Sequence, residues 1–466
     1  MAGVRAAVVE PAGAETGAVA GGLLRRRHVA MIALGGAIGA GLFVGSGVGI
    51  AQAGPGIVVG YLVAGLLTVL VMRMLGEMSA AYPGAGSFSS HARRALGPWA
   101  GLTAGWLYWA LLVVSVAAEA IGASRIASGW VPAVPPWVWV AVFMAVFTGS
   151  NLAGTRHFGE LEFWFAGLKA AAICAFVVLG AAAVTGALPG RTVSAGRNLT
   201  GHGGLLPHGW HGVALGLIAA VFAYGGLETV TIAAAECRDP VGAVRGAVRT
   251  VLWRVGFFYL GSITVIVLVV PWDDPAVAAG PYAAAIGRLG VPGAGQLMNA
   301  VVLIALLSAM NANIYGSSRM LRALAGRGDA PARLAVTSAG SGVPAAAVLA
   351  SAAFGFASVV LSLVWPRTVF PFLLDSIGAA ILVVWVLITL SHLRLRRRLE
   401  RGAPELLVLR TRGFPYLSWA VLAALVGVLL FMLTDPDSRP QLLCTAAWTV
   451  LLVLAAELKR RRARPS

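Results

Sequence analysis

Among the ionisable residues that stand inside long apolar runs of this 466-residue chain are Glu119, Lys169, Glu228 and Asp375. A charge in hydrocarbon is costly, so such groups pair with one another or with backbone carbonyls, or they line a substrate or proton path. Lysine is scarce, with Lys169 and Lys459 the only two among 35 basic residues. Lys169 falls about nine residues into its run, roughly 13 Å from the cytoplasmic end at helical rise. Three chemistries are open to it: loading and releasing a proton, standing as a fixed cation where sodium would otherwise bind, or bonding carbonyls as a structural group. Glu228 directly follows two glycines, which favours a pathway role. Glu119 and Asp375 can equally be hydrogen-bonded packing residues.

The backbone is a second source of chemistry. Glycines recur mid-run at Gly35, Gly36, Gly39 and Gly41 in GGAIGAGLFVGSG, and at Gly225 and Gly226 in FAYGGLETV. A helix unwound there exposes N–H and C=O groups that lipid cannot satisfy but a polar ligand can. The half-helix starting near Gly41 would offer free N–H groups and a positive dipole end to a carboxylate. Free carbonyls around Phe222 to Gly225 would accept an ammonium group. The two together suit a zwitterion better than a sugar or a lipid. The same glycines would also let helices pack closely; their matched placement, five spans apart, favours the broken-helix reading.

The elements that must position these groups follow from composition. Hydrophobic residues make up 59% of the chain and charged residues 11%, against about 25% charged in soluble domains. A soluble globular protein is excluded, and continuous runs such as Ile57 to Leu75 exclude an alternating β-barrel. The expected fold is all-α and membrane-embedded. Twelve spans fall at 28–50, 56–79, 99–129, 136–153, 160–186, 211–235, 251–271, 292–318, 344–364, 369–391, 415–434 and 440–457.

The net charge of +17 is read by position. With the N-terminus inside, most Lys and Arg lie on cytoplasmic segments, and Arg191, Arg197, Arg288, Arg367 and Arg439 lie outside. The positive-inside rule then sets an even span number with both termini cytoplasmic, and nucleic acid is not implied. The first 24 residues end in Arg25, Arg26 and Arg27, the wrong order for a cleavable signal peptide, so span 1 is expected to be retained. The organisation expected is a tail at 1–27, a transport core at 28–391, a basic loop at 392–414, two further helices at 415–457 and a basic tail at 458–466.

Other patterns point away from chemistry. Arg73 and Glu77, spaced i, i+4, are expected to form a surface pair. GAIGAG lacks dinucleotide-binding spacing, and HExxH, GxSxG and GxxxxGK[ST] do not occur. His202, His208 and His211 are expected in a solvated outer loop with no carboxylate ligand beside them. Cys174, Cys237 and Cys444 have no CxxC spacing and are expected to be reduced. The reading is a non-enzyme without cofactor or metal, its energy taken from an ion gradient or from none.

The motifs RHVAMIALGGAIGAGLFVGSG (27–47), AGPG (53–56), MRMLGEM (72–78), GSFSSHA (86–92), GWLYW (105–109), FGELEFWFA (158–166), GGLE (225–228) and SRMLRALAGRGDAP (318–331) together carry a resemblance. The chain resembles the amino acid permeases of the amino acid-polyamine-organocation superfamily, in the branch with aromatic, lysine, proline and 4-aminobutyrate permeases. LFVGS (42–46), TGSN (148–151), TIAAAE (231–236) and FLLDSIGA (372–379) look most like the 4-aminobutyrate (GABA) permeases. The resemblance implies twelve helices in a LeuT-type five-plus-five inverted repeat, with helices 1 and 6 discontinuous and two peripheral helices. It implies proton-coupled uptake by alternating access in the inner membrane. The ligand carboxylate would meet the backbone of Ile38, Gly39, Ala40 and Gly41, and its amine the carbonyls of Phe222, Ala223, Tyr224 and Gly225. Lys169 matches a lysine thought to replace sodium in some relatives, and Glu228 matches the carboxylate after the span 6 break. Gly41 stands where Ser is frequent in GABA permeases, and Tyr224 where Phe is common. A permease for an aromatic or another small neutral amino acid, or an antiporter, are the rival readings.

Overall fold

The structure is a computed structural model that describes residues 38–82, 88–188, 193–228, 253–290, 292–338, 340–365 and 369–462, with isolated positions at 242, 246 and 251. The N-terminal tail, Gly35, Gly36, the TIAAAE segment and Cys237 lie outside the described residues, as does the Asp375 side chain. Every regular element among the described residues is helical.

Span 1 is described from Ile38. A π-helical turn, Gly41–Gly45, runs into α1 (Ser46–Ala53). Gly54 ends α1 at φ 60°, where a Cβ would also meet Pro207 at 2.4 Å, so only glycine turns the AGPG segment into the next helix. That helix is α2 (Ile57–Ala81), followed by the short α3 (Phe88–Leu96). Then come α4 (Pro98–Trp130), α5 (Pro136–Ala153), α6 (Thr155–Val184), α7 (Ala195–Thr200) and α8 (Gly209–Tyr224). A second π-helical segment, Arg254–Gly261, leads into α9 (Ser262–Val269). The chain continues with α10 (Pro275–Ala279), α11 (Pro281–Arg288), α12 (Ala294–Gly326), α13 (Ala345–Val364), α14 (Val369–Gly402), α15 (Tyr416–Thr434) and α16 (Arg439–Arg462). Prolines open α4, α5, α10 and α11, where a missing N–H costs no helical hydrogen bond.

Eight stretches among the described residues are long and apolar enough to cross a membrane, with α1 and α2 counted as one. Three shorter apolar stretches accompany them: Gly209–Tyr224, Arg254–Val269 and Ala345–Leu361. The apolar stretches of α4, α12 and α14 are 72%, 67% and 78% buried, whereas that of α15 is only 22% buried. The first three therefore form the centre and α15 the rim. α12 packs most extensively on α4, and α8 packs on α1 and α2 with α14 beside it. This arrangement brings spans 1, 3, 6, 8 and 10 around one interior.

Three expectations are corrected. The basic loop at 392–414 begins as helix, because α14 continues to Gly402. Arg73 is exposed, but Glu77 points inward and is 2% exposed. It accepts hydrogen bonds from Arg396 and from the Thr411 amide, both at 2.5 Å, and His392 Nε2 lies 3.4 Å away. The expected surface pair is replaced because α14 supplies a guanidinium on the other face of α2. Finally, carboxylates do lie beside two outer-loop histidines. His202 Nδ1 is 2.9 Å from Asp273, His211 Nε2 is 3.8 Å from Asp435, and His208 instead meets the Gln52 carbonyl at 2.8 Å. The rings have separate partners, and no metal-ligating group of three forms among the described residues.

Candidate functional site

The two glycine-rich segments meet. α8 stops at Tyr224, the backbone becomes extended at Gly225 (ψ 148°), and Gly226 turns it at φ 91°, where a side chain would be strained. A Cβ added to Gly41 would lie 2.6 Å from Ala223 Cα and 3.1 Å from the Phe222 ring. Only glycine allows this approach. Gly41, Ser115, Glu119, Phe222, Gly225, Gly226, Ala309, Asn313 and Ile377 are among the residues lining a cavity at this junction. Its wall thus draws on spans 1, 3, 6, 8 and 10.

At the start of the described part of span 1, side chains from other helices take backbone groups of Ile38 and Ala40. Glu119 of α4 accepts the Ala40 N–H on both carboxylate oxygens, at 3.0 and 2.9 Å. A Cβ on Gly39 would clash with this carboxylate at 2.3 Å. The N–H expected to meet a ligand carboxylate is therefore held by a carboxylate of the protein itself. Lys169 of α6, fully buried, donates to the Ile38 carbonyl at 3.3 Å and to Ser308 Oγ at 2.9 Å. Glu162 Oε1 lies 3.7 Å from its ammonium, and Ser308 Oγ donates to Glu162 Oε2 at 2.8 Å. The lysine is thus paired and tied to span 1 and α12, behind the cavity wall.

The end of α8 is held differently. Glu228 lies beyond the turn and accepts from the Trp385 indole, from the Gly226 N–H at 3.2 Å and from Tyr108 OH at 3.5 Å. The Phe222 carbonyl accepts the Gly225 N–H at 3.0 Å, closing the end of α8 while leaving one lone pair for a further donor. The Tyr224 side chain turns away from the cavity. Its hydroxyl donates to the Tyr61 carbonyl at 3.1 Å and its ring stacks on Tyr259 at 4.6 Å. Phe222, by contrast, faces the cavity.

Sequence reading missed Glu162, Ser308, Trp385 and Tyr108. Glu162 carried a signal, since it precedes Lys169 by two helical turns and shares its face. The others carried none, being ordinary polar or aromatic residues in apolar runs. The TGSN segment contributes packing: Asn151 donates to Asn311 Oδ1 at 2.8 Å between α5 and α12. The nearby FLLDSIGA segment places Ile377 on the cavity wall.

Against this geometry, the sequence model of a family described as "Amino acid permease" matches residues 28–466. Similar chains include a Pseudomonas aeruginosa protein named "Probable GABA permease", 45% identical over 94% of this chain and 92% of that one. The "Gamma-aminobutyric acid permease" of Bacillus subtilis is 42% identical over 94% and 93%. The "Aromatic amino acid transport protein AroP" of Corynebacterium glutamicum is 44% identical over 92% and 93%. With its apolar helices, this similarity makes the chain a multi-pass membrane protein.

Proposed function

The chain belongs to the amino acid permease family, whose members are transporters, and from that premise we propose that it takes up 4-aminobutyrate or a related small amino acid by proton-coupled alternating access. The carrier lies in the inner membrane with both termini cytoplasmic. Its twelve helices form a five-plus-five inverted repeat with helices 1 and 6 discontinuous, and the last two helices are peripheral. The substrate stands at the junction of the breaks, its carboxylate toward the backbone of Ile38 to Gly41 and its amine toward the carbonyls of Phe222 to Gly225. Lys169 couples the proton, with Glu119 and Glu228 along the path.

The observation that carries this reading is the close approach of the two glycine-marked segments, Gly41 at the head of its π-helical turn against Ala223 one residue before α8 stops, beside one cavity inside the helix bundle. Unwound backbone inside a membrane protein is tolerated where it is buried in protein or lines such a cavity. The substrate choice rests on the two relatives named for GABA transport. A second reading, an aromatic amino acid, is favoured by the AroP relative and by the Phe222 ring on the cavity wall.

The test is uptake of labelled 4-aminobutyrate by proteoliposomes under an inward proton gradient, with unlabelled amino acids as competitors. Accumulation that collapses with a protonophore and is competed only by 4-aminobutyrate analogues is the expected result. Accumulation of another amino acid would keep the carrier and discard the substrate. Exchange that persists without a gradient would make it an antiporter.

A further inference from the structure

Buried carboxylates in this bundle differ in how well they are satisfied. Glu77 has Arg396 and the Thr411 amide, Glu228 has an indole, an amide and a phenol, and Glu162 has Ser308 and Lys169. Glu119 has a single donor among the described residues, the Ala40 N–H, shared between both oxygens. A carboxyl group can take part in several hydrogen bonds at its two oxygens, so most of its capacity is unused. It is also the one ionisable side chain on the cavity wall among the described residues. Its helix places Ser115, one turn earlier, on the same wall.

We propose that Glu119 is an internal occupant of the carboxylate-binding position, and that substrate enters by displacing it from Ala40. The proposal rests on the reading that an amino acid binds at this junction. Displacement frees the Ala40 N–H for the carboxylate of the substrate and turns the Glu119 carboxylate into the cavity, where the substrate ammonium meets it. One side chain thereby makes an amine a condition of binding. A carboxylic acid without an amine would expel Glu119 and leave it buried without a partner, which is costly; a zwitterion supplies the replacement partner. Selection of amino acids over simple acids then comes from the occupant together with the carbonyls of Phe222 to Gly225.

The experiment compares binding of 4-aminobutyrate, butyrate and butylamine to the purified full-length protein and to Glu119→Gln, with size-exclusion profiles confirming that both are folded. The neutral amide keeps the shape but holds Ala40 with roughly half the strength of a charged acceptor. E119Q should therefore bind butyrate at least about tenfold more tightly than the wild type, and its preference for 4-aminobutyrate over butyrate should collapse. Butyrate affinity that is unchanged or weaker in E119Q would overturn the proposal, as would a loss confined to the amine-bearing ligands. Should E119Q not fold, Glu119→Asp, whose carboxylate is one methylene short of the Ala40 N–H, reads the same event: it should bind butyrate more tightly than the wild type, and unchanged or weaker butyrate binding would overturn the idea. A wild-type protein that binds no amino acid at all would instead refute the carrier reading itself.

Discussion

The glycine-rich start of span 1 is held from outside and the end of α8 from within. The Ala40 N–H and the Ile38 carbonyl are met by Glu119 and Lys169, which reach them from 79 and 131 positions along the chain. At the end of α8 the acceptor is Glu228, two residues from the Gly226 N–H that it caps, and an indole and a phenol clamp it in place. The external partners can leave without unravelling the segment they hold. The local cap cannot. A backbone segment whose partners are borrowed is suited to exchange one ligand for another, whereas one that caps itself is suited to keep its shape.

The largest effect expected from this contrast is at Lys169. Replacing it with Ala should abolish gradient-driven accumulation and leave Glu162 uncompensated, at a stability cost of about 3–5 kcal/mol. Adding Glu162→Gln should restore much of that stability but not accumulation, as read by thermal unfolding in detergent and by uptake. Full proton-driven uptake by either variant would remove Lys169 from coupling.

Next come the glycines. Gly41→Val forces a side chain against Ala223 backbone, and overpacking of about 1–3 kcal/mol should weaken substrate affinity roughly 10- to 100-fold. At Gly225 a Cβ would meet only the Phe222 carbonyl at 3.1 Å, so Gly225→Ala should change affinity less than about threefold. Equal losses at the two sites would erase the distinction between the two segments.

Glu228→Gln reverses part of the donor and acceptor pattern around a buried group and should cost about 1–3 kcal/mol of stability, with the KM of the remaining folded carrier little changed. A large change in KM at wild-type stability would move Glu228 from clamp to ligand. Tyr224→Phe removes one hydrogen bond to Tyr61, worth about 1 kcal/mol, and should leave substrate preference untouched in competition assays.

A further effect lies outside the membrane. His91 on α3 is buried beside Ser79, and burial, reinforced by the cation of Arg94, holds its pKa down to about 3. An unfolded histidine titrates near 6.5. The ring therefore contributes stability above that value, and the contribution is lost as pH falls toward 3, because only the unfolded state takes up the proton. Protection factors of residues 88–96, with exchange rates corrected for the intrinsic pH dependence of amide exchange, should fall at pH 5 relative to pH 7.5, and His91→Asn should flatten the difference.

The spans were legible because a bilayer imposes one length and one polarity on each of them, so that Pro98–Trp130 and Pro136–Ala153 fall where the apolar runs lie. The stop after Tyr224 was legible because glycine pairs are conspicuous in an apolar run. The partners were not. Nothing local ties Trp385 to Glu228 or Glu119 to Ala40, since those contacts arise only when distant helices pack. Glu77 misled for the same reason: the i, i+4 rule describes an isolated helix surface, and α14 covers that surface with Arg396.

That buried tie between α2 and α14 has a mechanical meaning. It works as a rivet, fixing the C-terminal portions of two long rods and the stretch around Thr411 to one another. Prying the rods apart at that level would strand a carboxylate and a guanidinium in a dry gap, at a cost of about 3–5 kcal/mol. The two rods are therefore coupled at that level, and any rearrangement that separates helices has to spare this tie or break it at that cost.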